Sequence, residues 1–126
     1  MSVTFSDPTG GKAALERIST LPDNWDSYGA PSVSSATIQT GLQLLYSTAR
    51  MATPTPSVVP TGVGGLQLEW HARGMDIELY LSPGEEPELF VADRHEGTED
   101  EAVLSTDLSA LSQALARLTD RGPEAR

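Results

Sequence analysis

Apolar residues along this chain change their spacing twice. Between residues 12 and 49 they recur at helical intervals, between 57 and 92 they alternate, and beyond 106 the helical spacing returns. The first segment, 12–21, places Ala14, Ile18 and Leu21 on one side of a short helix. Ser34 suits the start of a second helix, because its side-chain oxygen can accept from an unpaired N–H of the first turn. Ile38, Leu42, Leu45 and Ala49 then form one apolar stripe, which Leu44 and Tyr46 widen. Thr53-Pro54-Thr55-Pro56 ends that helix, since proline has no N–H and drives the preceding residue out of the α region.

The alternating part predicts strands. Residues 57–60 form a short edge strand between Pro56 and Pro60. Leu66, Leu68 and Trp70 alternate with Gln67, Glu69 and His71; Met75, Ile77, Leu79 and Leu81 alternate with Asp76, Glu78 and Tyr80. Period two means one buried and one wet face. Ala72-Arg73-Gly74 supplies the turn, glycine taking the positive φ that tight hairpins need. Both apolar sets share a face only if Trp70 lies opposite Ile77, Leu68 opposite Leu79 and Leu66 opposite Leu81; a slip of one residue would expose one set. A turn at 82–84 leads to a further strand at 88–92. The acidic stretch 93–101 reads as a loop, and 102–104 as a short additional strand. Leu108, Leu111, Leu115 and Leu118 mark the last helix, starting near Thr106-Asp107 and stopped by Gly122-Pro123. The expected fold is α+β: a three- to four-stranded antiparallel meander with two N-terminal helices and one C-terminal helix packed on one face. The 126 residues suit a single domain, 1–126, with loose tails at 1–10 and 122–126.

Charge changes the picture from fold to partners. The chain has 18 acidic and 8 basic residues, a net charge of −10. From Glu69 to Asp107 there are 12 acids and only Arg73 and Arg94 as bases, so the remainder is neutral and the whole net charge lies in the second half. That half repels duplex nucleic acid and anionic membrane and attracts a basic protein surface. No cysteine is present, which excludes disulfides and thiolate chemistry. No apolar run approaches the length of about 18 residues needed to span a membrane. Residues 1–5 lack the basic-then-apolar pattern of a leader. The expected location is the cytoplasm.

The stretch 22–31, Pro-Asp-Asn-Trp-Asp-Ser-Tyr-Gly-Ala-Pro, sets two aromatic rings among turn formers. One reading is a recognition loop with Trp25 and Tyr28 as anchors for a partner. The other, which is favoured, is a packed corner. There Asp23 or Asp26 caps backbone N–H groups, Gly29 takes a conformation closed to residues with a Cβ, and Trp25 shares a core with Trp70.

The residues Asn24-Trp25-Asp26-Ser27-Tyr28-Gly29-Ala30 resemble a signature of small bacterial proteins of uncharacterised function, in which such a loop precedes a helix. A proline-spaced segment and a Gly-Gly-x-x-Leu-Glu-Trp strand follow there, as Pro54 to Pro60 and Gly64-Gly65-Leu66-Gln67-Leu68-Glu69-Trp70 do here. The resemblance spans residues 14–82. It implies a shared fold in which Asn24, Trp25, Asp26, Tyr28, Gly29 and Trp70 are structural marks, and it carries over no catalytic residue.

On the wet face of the hairpin the register sets Glu69 opposite Glu78 and His71 opposite Asp76. Two carboxylates and a histidine suffice for acid–base chemistry or a divalent metal. A flat strand face is not the concave site that catalysis requires, and no metal-binding histidine spacing, nucleophile elbow or phosphate loop occurs. The expectation is therefore no catalytic residue, no metal and no cofactor. The partner-binding set is Glu69, Asp76, Glu78 and Tyr80 on the hairpin, with Asp93, Glu96, Glu99, Asp100 and Glu101 as a mobile negative patch. The function this predicts is a non-enzymatic acidic module that docks a basic partner protein, in the manner of an antitoxin, immunity protein, inhibitor or chaperone. The alternatives are a DNA mimic that blocks a nucleic-acid-binding protein, and a small enzyme using Glu69, Glu78 and His71. No direct nucleic-acid or membrane contact is expected, and the leucine stripe of the last helix leaves a homodimer open.

Overall fold

A computed structural model describes residues 12–25, 27, 29–50 and 52–122. The tail expected at 1–10, residues 123–126 of the one expected at 122–126, and Asp26 and Tyr28 of the signature lie outside the described residues. Among those described, the elements run α1 (Lys12–Ile18), α2 (Ser35–Thr48), β1 (Ser57–Pro60), β2 (Leu66–Ala72), β3 (Met75–Leu81), β4 (Glu88–Asp93), β5 (Thr98–Val103) and α3 (Ser109–Asp120). None of these helices is long and apolar enough to cross a membrane.

Ser34 caps α2, its Oγ accepting from Thr37 N–H at 3.2 Å. The buried face of α2 differs from the expected stripe. It comprises Thr37, Ile38, Gly41, Leu44, Leu45 and Thr48, while Leu42 and Ala49 are half-buried and Tyr46 is 71% exposed. Small residues draw the contact line to one side: a Cβ on Gly41 would already stand 3.5 Å from both Leu15 and Leu81. Thr48 is tolerated inside because its hydroxyl donates to Leu44 O. In α3, Leu111, Ala114, Leu115 and Leu118 are buried, and the Asp107 carboxylate accepts from Ser109 N–H at 2.9 Å where the helix begins.

The five strands pair antiparallel in chain order. Trp70 faces Ile77, Leu68 faces Leu79 and Leu66 faces Leu81, the register that the alternation predicts. Arg73 and Gly74, with φ of 55° and 77°, form the two-residue turn whose twist matches the strands. The sheet is larger than the expected three to four strands. Residues 93–101 are not a loop: the turn is confined to 94–97, and β5 starts at Thr98 instead of Ala102. The segment Thr98–Val103 has no apolar alternation, because only Ala102 in it is even partly buried. Its place comes from the backbone ladder to β4, a signal that hydropathy does not carry.

Leu15 and Ile18 of α1, Ile38, Leu44 and Leu45 of α2, and the buried residues of α3 join the inward residues of β1–β4 in one core. All three helices therefore lie on the same side of the sheet. At its rim, Gly65 is locked in place: a Cβ there would meet Leu81 O at 2.3 Å and Thr61 Oγ1 at 3.0 Å. Gly65→Ala is expected to destabilise the fold by about 1–3 kcal/mol, because the obstacle is backbone and cannot turn away. A thermal melt of the variant unchanged from the parent would contradict this close approach.

Candidate functional site

With the helices on one face, the other face of the sheet carries side chains alone among the described residues. Strand register places them in rows. Ser57, Glu69, Glu78, Phe90 and Glu101 line up across β1 to β5. Beside them run Val59, Gln67, Tyr80, Glu88 and Val103, and on the other side His71, Asp76, Ala92 and Glu99. Among the described residues this face thus gathers the carboxylates of Glu69, Asp76, Glu78, Glu88, Glu99 and Glu101, with Phe90, Tyr80, Val59 and Val103 between them.

Like charges directly opposed, as Glu69 and Glu78 are, weaken a sheet. Each finds relief two residues along its own strand, where side chains return to the same face. Gln67 Nε2 donates to Glu69, and Tyr80 Oη–H donates to Glu78. Loss of solvent and the bond to Glu78 push the Tyr80 phenol up to about 12. His71 Nδ1 lies 2.6 Å from Asp76 Oδ1, and its Nε2 lies 3.7 Å from Glu69 Oε2. The Asp76 bond raises the imidazole pKa, burial opposes this, and the charge of Glu69 adds to the rise. Asp76 is held below the usual carboxylate range by His71 and by Arg94, which donates to its other oxygen. Glu69, His71 and Glu78 bring one donor atom each within 4.8 Å of one another. Those are nitrogen and oxygen donors of the kind a divalent ion takes, but they stand on an open strand face rather than in a cleft.

Asp93 departs from its expected role. It is not part of an exposed patch: its side chain is fully buried at the end of β4. Arg121 Nη2 donates to Oδ2 at 2.6 Å and Arg117 Nη1 at 3.2 Å, while the N–H groups of His95 and Glu96 donate to Oδ1. Arg121, followed by those backbone donors, holds the carboxyl at about 2 against the opposing effect of burial. The surroundings extend the tie. Arg121 also donates to Arg73 O, and Arg73 donates to the carbonyls of Leu118 and Thr119 at the end of α3. Arg50 donates to Ala116 O and Asp120. The hairpin turn, the β4–β5 turn and the helix terminus are thereby joined, and Arg50, Arg73, Arg117 and Arg121 are gathered away from the acidic face. Arg94 is the exception, since it stays at the acidic face beside Asp76.

The remaining predicted residues separate by strand parity. Glu99 and Glu101 join Glu69, Asp76, Glu78 and Tyr80 on the open face, whereas Asp100 points toward the helix side, where it lines a shallow depression with Glu96 and Arg117. Sequence reasoning missed Glu88, Phe90 and Val103. The parity of residues 88–92 could have placed the first two, but Val103 needed the β5 register.

The signature loop closes on itself. Asn24 N–H donates to Ala30 O at 2.7 Å, and its side-chain oxygen accepts from Gly29 N–H at 2.7 Å. Ser32 N–H donates to Asp23, holding that carboxyl below its ordinary range. Gly29 has φ of 86°, the left-handed conformation expected there. Trp25 does not share the core of Trp70. It is half-buried, outside the core cluster, and its Nε1 donates to Pro31 O within the loop; Trp70 is 2% exposed and donates to Pro54 O. No family model matches this chain, and neither does any curated protein or solved structure.

Proposed function

We propose that this protein is a non-enzymatic, acidic binding module of the cytoplasm that docks a basic partner protein on its helix-free sheet face. The observation that supports this reading is the array of carboxylates on that face, interleaved with Phe90, Tyr80 and Val59 and remote from the arginines tied up around α3. Charges of one sign on a low-dielectric wall steer an oppositely charged partner and fix its orientation. The apolar residues between them supply area that water need not cover once the partner is seated. Docking would also relieve the opposition of Glu69 and Glu78. The non-catalytic reading is supported by the position of Glu69, His71 and Glu78 on an open surface.

The test is co-purification from native cells of the tagged chain and of a variant carrying Glu69→Gln, Glu78→Gln, Glu99→Gln and Glu101→Gln. A basic protein should accompany the parent at low salt. It should be lost from the variant and released by about 0.5 M salt, where screening reaches only a few ångströms. Release of that protein by duplex DNA would assign the DNA-mimic form of the reading. A partner retained equally by parent and variant would overturn the acidic face as the docking surface.

A further inference from the structure

We infer that the open edge of β5 is a strand-addition site for an extended, basic segment of the partner. This deepens the reading above and rests on it. In the sheet order β5 is terminal, and among the described residues nothing pairs with its outer edge. The phase of the β4–β5 ladder follows from Leu104 N–H donating to Pro87 O at 2.8 Å. Hydrogen-bonded pairs then fall at Leu89–Ala102, Val91–Asp100 and Asp93–Thr98. Arg94 N–H donating to Gly74 O sets the complementary phase on the β3 side. Glu99, Glu101 and Val103 therefore turn their N–H and C=O groups away from the sheet, with their side chains on the acidic face.

The two edges of the sheet differ. At the far side, β1 is four residues long and ends in Pro60, which has no N–H to offer. By contrast, β5 has six residues and no proline, and among the described residues its protection is charge: Glu99, Asp100 and Glu101 in succession. A second copy of this chain pairing there would set those acids against each other, so self-association through this edge is disfavoured. A strand with lysine or arginine at alternate positions meets the opposite situation. Beside the edge lies a depression of about 420 Å³ lined by Tyr80, Glu88, Phe90, Glu101 and Val103. Val103 is 63% exposed. Apolar walls with carboxylates at the rim suit the aliphatic stem and cationic head of a basic side chain. Backbone pairing would supply affinity and this depression selectivity, as in other strand additions.

The experiment uses the whole chain and three synthetic probes of about ten residues. One alternates lysine and threonine. The second is the same peptide N-methylated at every residue, which keeps the charge but blocks pairing through either edge. The third alternates lysine and proline. Binding is measured by titration calorimetry at low salt, and backbone amide exchange by NMR. The lysine–threonine peptide should bind about tenfold or more tighter than the other two and slow exchange at the N–H groups of Glu99, Glu101 and Val103. Glu101→Pro, which removes an outward donor together with one carboxylate whose loss weakens all three peptides alike, should abolish that advantage; should it fail to fold, the methylated probe makes the same comparison on the parent protein. If all three peptides bind equally, strand addition is wrong while docking by charge stands. If none binds, both readings fall.

Discussion

Replacing Asp93 by alanine is expected to cost about 3 kcal/mol of folding stability, read as a lowered midpoint in urea. Breaking a buried, hydrogen-bonded ion pair costs about 3–5 kcal/mol because the surviving partner keeps its desolvation cost without its counter-charge. The lower end applies here. The Arg117 side chain is 48% exposed and can return to water, but Arg121 is only 18% exposed and cannot do so without leaving Arg73 O. Two backbone donors, the N–H groups of His95 and Glu96, would also lose their acceptor. Asp93→Asn retains one oxygen and should fall between alanine and the parent. The effect has a defined pH sign. The carboxyl titrates at about 2 in the folded chain against an ordinary value of 3.8. A lowered folded value means that the contribution is fully present above the unfolded pKa and is lost as pH falls through the folded one. The deficit of Asp93→Asn relative to the parent should therefore be full at about pH 7 and shrink between about pH 4 and about pH 2. A deficit that stays constant over that interval would contradict the ion-pair account.

Trp70→Ala should cost about 3–5 kcal/mol, the range for deleting a large buried aromatic from a core. The side chain is 2% exposed, is packed among the strand and helix residues of the core, and donates its indole N–H to Pro54 O at 2.8 Å. Removing it leaves a cavity and an acceptor without its donor. Trp70→Phe should recover most of the loss, because the ring remains and only that hydrogen bond and part of the volume disappear. The contrasting variant is Trp25→Ala. Trp25 is half-buried and bonds within its own loop, so its removal should cost about 1–2 kcal/mol. Thermal melts of the three variants decide the matter. If Trp25→Ala proves as damaging as Trp70→Ala, the loop is a clasp on the core after all, and its self-closed geometry is secondary.

These two tryptophans show where sequence reasoning succeeds and where it stops. Trp70 sits in an alternating run whose parity assigns it to the buried face, and one turn, Arg73-Gly74, sets its cross-strand partner Ile77. Trp25 sits between turn formers with no periodicity, so its burial depended on where the loop came to rest. The same division applies to the candidate site. Glu69, Asp76, Glu78 and Tyr80 share a face by parity alone, and the structure places them there. Glu99 and Glu101 join that face only because β5 pairs with β4, and Asp93 leaves the acidic set only because Arg121, 28 residues further on, reaches its carboxylate.

By itself the chain determined what neighbouring residues can settle. The Ser34 cap, Leu111, Leu115 and Leu118 on the buried side of α3, the hairpin register and the concentration of acid after Glu69 all follow from local geometry and counting; Leu108, expected in the same stripe, precedes the helix and is half-buried. Only the tertiary structure decided the fifth strand, the burial of Asp93, the side of α2 that meets the core and the parity that divides Glu101 from Asp100. Those outcomes depend on backbone pairing between the neighbouring strands β4 and β5, on packing at Gly41, and on a charge contact between residues 28 apart, none of which leaves a periodic trace in hydropathy. In Thr98–Val103 the ladder to β4 holds a strand in which every side chain but that of Ala102 is exposed.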